Sequence, residues 1–120
     1  MTRQQIVSSI ENGVTDFSNK DLSNLDLGLN FEKFNLSRAN LSRASLSDAK
    51  NIFIFNGISG RTCYAVVFEN EEPSVKYLMI KAGCFFDNLS EFKSASKAKG
   101  EKYEAQIQYL EILETLLNRK

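Results

Sequence analysis

Between Asp16 and Lys50 an apolar residue returns every five positions: Phe17, Leu22 and Leu27, then, after one four-residue unit, Phe31, Leu36, Leu41 and Leu46. Five matches neither the 3.6-residue turn of an α-helix nor the two-residue alternation of a strand. Two further columns keep the same register. Just before each apolar centre stand Asp16, Asp21, Asp26, Asn30, Asn35, Asn40 and Ser45, short polar side chains that bond back to nearby main chain and favour turns. Two residues before the centres the column runs Thr15, Lys20, Leu25, Leu29, Phe34, Ala39 and Ala44, becoming small toward its end. Such a chain bends once per unit.

The units NLSRA, NLSRA and SLSDA resemble the A(D/N)LXX motif of the pentapeptide-repeat family. The resemblance spans residues 16–50 and is best over the last three units. It implies a square, right-handed β-helical coil, with the central Leu or Phe and the small residue inside. Lys20, Leu25, Leu29 and Phe34 are bulkier than the family's small residue, and the unit ending at Leu29 is one residue short. A bulged first coil and a regular second one are expected. Seven units make fewer than two coils of four, so both ends need caps.

The flanks supply candidates. Thr2-Arg3-Gln4-Gln5 reads as a capping box opening a short helix, with Ile6, Val7 and Ile10 on one face and Asn12-Gly13 as its stop. After the repeat, Phe53 to Ala82 reads as an antiparallel meander of three strands, with Asn56-Gly57 and Asn70-Glu71-Glu72-Pro73 as turns. Asp87 is placed to cap a helix carrying Leu89, Phe92 and Ala95, interrupted at Gly100. A last helix, 101–117, has apolar residues over roughly 220° of arc, about twice what one core-facing stripe needs. Either the helix is pressed between sheet and coil inside the domain, or part of the arc meets a second copy or another protein. The second half, with Tyr64-Ala65-Val66-Val67, Ile80 to Cys84 and the Tyr103/Tyr109 helix, is similar to the tails of small phage and prophage pentapeptide-repeat proteins, which implies a phage-encoded accessory protein.

Composition narrows the chemistry. Of 120 residues none is histidine, which removes Ser-His-Asp and Cys-His catalysis and His-containing metal sites. Neither phosphate-loop motif occurs. Cys63 and Cys84 are too few for a zinc ribbon, and the sequence does not say whether they lie close enough to pair. Cys84 sits where a helix start would activate a thiol, yet Phe85 and Phe86 beside it favour burial. The acids Glu69, Glu71 and Glu72 surround a turn, an ordinary solvated position. Fifteen basic and fifteen acidic residues balance, so nothing steers the whole molecule to nucleic acid or membrane. Some pentapeptide-repeat proteins imitate DNA and bind type II topoisomerases; residues 1–50 hold six basic and six acidic groups, which disfavours that role here.

The reading is therefore a mainly β fold with helices (α+β): a short right-handed pentapeptide β-helix with its cap helix over residues 1–50, and a meander with C-terminal helices over 51–120, packed as one unit. The expected function is non-enzymatic and cytoplasmic, with no cofactor and no metal: a phage-derived module that binds and inhibits a host protein, such as a defence or nucleic-acid-processing complex. The candidate partner-binding residues are Lys33, Arg38 and Arg43, two past successive repeat centres, and Tyr109, Ile112 and Leu116 on the last helix, which also offers a homodimer seam. The alternative is nucleic-acid contact through Lys33, Arg38, Arg43 and the stretch 93–102.

Overall fold

The computed structural model describes residues 1–57, 60–83, 85–100 and 102–119. The Thr2 hydroxyl accepts the Gln5 N–H at 3.2 Å, and the Gln5 side-chain oxygen accepts the Thr2 N–H at 2.8 Å. This reciprocal cap starts helix α1 (Arg3–Glu11), which buries Ile6 against the repeat. Arg3 ties it there, its Nε donating to the Asp26 carbonyl at 3.1 Å.

Each five-residue unit spends its hydrogen bonds on a turn. The carbonyls of Phe17, Phe31, Leu36, Leu41 and Leu46 accept from the N–H three residues on, at 3.0 to 3.3 Å. The third residue of each turn has positive φ: 61° at Asn19, 65° at Lys33, 59° at Arg38, 60° at Arg43 and 65° at Asp48. That is the mark of a type II turn. The preceding Asx residue buttresses it: the Ser18, Ser37 and Ser42 N–H groups donate to the side-chain oxygens of Asp16, Asn35 and Asn40, each at 3.0 Å. The short unit closes differently. Leu29 N–H donates to the Leu27 carbonyl at 2.7 Å, a three-residue turn centred on Gly28. A Cβ at Gly28 would stand 2.7 Å from the Ser47 carbonyl oxygen, so only glycine fits this narrow corner. The oversized Phe34 fills space rather than causing a defect, its ring lying 4.9 Å from that of Phe17 and 5.2 Å from that of Phe31.

The expected right-handed pentapeptide β-helix, and with it the mainly β class, is corrected. Among the described residues no β-strand falls within 16–50; pairing there is limited to four isolated parallel bridges, Asp16 to Asn35, Asp21 to Asn40, Asp26 to Ser45 and Asn30 to Lys50. The sheet of the protein is antiparallel and lies outside the repeat. The fold is a small α+β one. The physical reason is length: the repeat passes each side twice, so each position finds one neighbour and no ladder propagates. The backbone is satisfied by its turns together with bonds between the two circuits, such as Phe17 N–H to the Asn35 carbonyl and Asn35 N–H to the Thr15 carbonyl, both at 2.9 Å.

Four strands, β1 (Ile52–Asn56), β2 (Thr62–Asn70), β3 (Val75–Ala82) and β4 (Phe85–Asn88), pair in sequence order, where the sequence suggested three. Period-two alternation sends their side chains to two different cores. Ile52 and Val66, with partly buried Tyr64, Phe68 and Phe86, join the repeat and α1. Phe55, Cys63, Ala65, Val67, Leu78, Ile80 and Ala82 join α2 (Leu89–Ala98) and α3 (Glu104–Leu117). The sheet is thus covered on both faces. β4 was missed because Phe85 and Phe86 split between the two cores, which in sequence reads as a buried helix entry. The helix cap is accordingly Asn88, not Asp87, its side chain accepting the Glu91 N–H at 2.9 Å. No helix is long and apolar enough to cross a membrane among the described residues.

Candidate functional site

Strand register builds the site. On the repeat-facing side of the sheet, Ile52, Val66 and Met79 form one cross-strand row; the next row toward the β1–β2 end is Ile54, Tyr64, Lys81 and Phe86. Ile52 and Val66 are buried on the repeat core, whereas Ile54 is exposed and Tyr64 only half-buried. The row overhangs the repeat only in part, since Tyr64 and Phe86 still pack on the repeat core. Beneath the overhang runs one side of the repeat, from Arg38 to Arg43, and the space between is an open cleft of about 580 Å³. Arg38 and Arg43 flank it at two successive turn positions, Arg61 enters from the approach to β2, and Lys81 and Tyr64 face it from the sheet.

The electrostatics are one-sided. Among the described residues no acidic side chain lines the cleft, and Arg38, Arg43 and Arg61 form no ion pair. Asp16 and Asp21, the acids of the first units, are engaged by their own turns. The Ser18 and Ser23 hydroxyls, with the backbone N–H groups of the same residues, hold their carboxyls below the usual range. Lys81 is only 7% exposed, and its ammonium donates to the Gly83 carbonyl at 3.3 Å. Burial pushes the Tyr64 phenol up, and neighbouring Cys63 adds to this. Gly83, at φ 61°, leaves room for the Arg61 guanidinium, which would lie 3.8 Å from a Cβ there.

Of the residues singled out from sequence, Arg38 and Arg43 come together and Lys33 does not join them. Lys33 sits where the repeat meets the sheet, its N–H donating to the Val67 carbonyl at 2.8 Å. Arg61, Tyr64 and Lys81 were missed; the one sequence hint was a lysine inside the apolar run Leu78 to Ala82. Within the stretch 93–102, Lys93 pairs with Glu111 at 2.8 Å. Cys63 is fully buried in the helix-facing core; Cys84, and its closeness to Cys63, lie outside the described residues.

Helix α3 divides its wide apolar arc. Leu110 is buried, and Ile107, Leu113 and Leu117 pack on the helix-facing core. Tyr109, Ile112 and Leu116 stand on the opposite side at 42%, 60% and 51% exposure. Glu111 is held by Lys93, and Glu114 accepts the Leu78 N–H at 2.9 Å, so both acids lean toward the body of the protein. Gln108 and Thr115 are left as the neutral neighbours of the exposed row.

No protein-family model, curated protein or solved structure matches the chain.

Proposed function

We propose that this protein is a non-enzymatic binding module that takes a protein partner on the exposed face of α3. The observation that carries the reading is the row Tyr109, Ile112 and Leu116, spaced three and four apart on a helix whose other face already fills a core. Residues at that spacing present one continuous stripe. A stripe of this kind, with neutral Gln108 and Thr115 beside Ile112 and Arg119 one turn past Leu116, suits the apolar face of another protein's helix. The lack of histidine supports a binding role over acid–base chemistry. We further propose, on the resemblance read from the sequence, that the partner is a host protein and that occupying it inhibits it.

The test is capture of a stoichiometric protein from nuclease-treated bacterial lysate by the tagged chain, repeated with Ile112→Lys and Leu116→Lys. Both side chains are exposed, so the variants keep the fold. Loss of the partner in both variants supports the reading. A partner retained by them, or one that disappears with nuclease, overturns it.

A further inference from the structure

The cleft under the sheet overhang is separate from the α3 face and calls for a different occupant. In a chain of balanced charge, three arginines gather on one space beside the buried Lys81, with no acidic residue among its described lining. Like charges gathered this way repel one another, and an anion relieves them.

Backbone conformation offers no reason for arginine at these positions. Arg38 and Arg43 sit at φ 59° and 60°, a region that asparagine and glycine enter readily and other residues enter at a cost. One circuit earlier the same kind of turn position holds Asn19 and Asn24, at φ 61° and 62°, and they stack on this side through Asn19 N–H to the Ser37 carbonyl and Asn24 N–H to the Ser42 carbonyl. On this side the favourable residue occupies the first circuit and the basic one the cleft, while Lys33 and Asp48 hold the same conformation outside it.

The occupant is limited by charge density and size. Guanidinium groups present planar donor forks that match phosphate and carboxylate oxygens. An acidic peptide spreads single charges at about 3.3 Å per residue with its side chains alternating, so few carboxylates reach one cleft. A nucleic-acid strand needs a basic track several phosphates long, whereas past Arg61 the adjacent groove adds Lys99 alone among its described cations and Lys93 is neutralised by Glu111. A chain of two or three phosphates delivers several charges at one place, and the volume lies within the roughly 300–1,000 Å³ of small-ligand pockets. Tyr64, whose raised phenol stays protonated at neutral pH, adds a neutral donor on the sheet side.

From this geometry we propose that the cleft between Arg38, Arg43, Arg61 and Lys81 binds a compact polyphosphate group, carried by a nucleoside triphosphate or present as inorganic polyphosphate. The site holds the anion without transforming it.

The test is titration calorimetry of the full chain with ATP, AMP and inorganic tripolyphosphate, with a short single-stranded oligonucleotide and hexaglutamate for comparison. Arg38→Asn and Arg43→Asn remove the charge while fitting the turn, so loss of binding cannot be attributed to unfolding. Expected are binding of a triphosphate, at least about tenfold weaker binding of AMP, and a loss of about tenfold or more in each variant. ATP binding more tightly than tripolyphosphate identifies a nucleotide as the source; equal binding identifies inorganic polyphosphate. The proposal is overturned if neither triphosphate binds below about 1 mM. It also fails if AMP binds equally, if the double variant binds as before, or if the oligonucleotide or hexaglutamate binds more tightly than both triphosphates.

Discussion

Asn118 clasps Lys76 from the end of α3: its Oδ1 accepts the Lys76 N–H and its Nδ2 donates to the Lys76 carbonyl, both at 2.8 Å. A side-chain amide here does the work of a neighbouring strand. β4 pairs only with Met79 to Ala82, so the first half of β3 has an open side, and Asn118 together with Glu114 closes it. Open strand edges invite pairing with other chains, and a helix that covers one removes the risk.

Asn118→Ala is therefore expected to destabilise the fold by about 1–3 kcal/mol, since two backbone groups lose partners at once. A lowered urea midpoint with unchanged slope is the expected reading. Slow association at high concentration, followed by light scattering, should accompany it. An unchanged midpoint shows that water replaces the clasp at no cost.

The turn positions give a prediction of opposite sign. Arg38→Asn and Arg43→Asn each relieve a non-glycine residue at positive φ and are expected to stabilise by a few tenths to about 1 kcal/mol. Asn19→Ala and Asn24→Ala are expected to destabilise by about 1 kcal/mol. Comparing the four midpoints under one denaturant separates conformational preference from charge, because the alanine variants carry no charge change.

Gly28→Ala tests the short corner. Its Cβ would meet the Ser47 carbonyl at 2.7 Å, a backbone atom that cannot swing aside. A loss of about 2 kcal/mol or more is expected, comparable to overpacking a core. The equivalent change at Gly100, where nothing lies within 4 Å of the new Cβ, leaves only the positive φ to resist it and should cost less.

Acid sensitivity follows from Asp16 and Asp21. Each donor Ser hydroxyl and N–H favours the ionised carboxyl, so the folded pKa lies below the unfolded one. The stabilisation is complete above the unfolded value and disappears as pH falls through the folded value. The double variant Asp16→Asn/Asp21→Asn should show a flatter decline of the urea midpoint from about pH 5 down to pH 2 than the parent chain. Identical slopes would mean these turns do not sense protonation.

Much of the local structure was legible because it depends on residues close in sequence. Thr2 and Gln5 write their capping box within one turn, and the Asx column writes its turns within three residues. What was not legible depends on residues far apart. Whether the repeat grows into a ladder depends on the number of circuits it completes, not on the quality of any unit, and so the β-helix inferred from NLSRA did not form. β4 was hidden because its two aromatic residues, Phe85 and Phe86, serve different cores. The cleft was half visible: Arg38 and Arg43 shared a column, but Lys81 and Tyr64 reach it through a strand register that no local pattern announces.

Val66 and Val67 are neighbours in the chain, yet one belongs to the repeat core and the other to the helix core. A single peptide unit thus joins two interiors that share no other wall than the sheet. Loosening one interior pulls on the strand that walls the other, so the two halves are expected to unfold in a single urea transition. Severed after Lys50, each fragment would bare a face the other was shaped to cover.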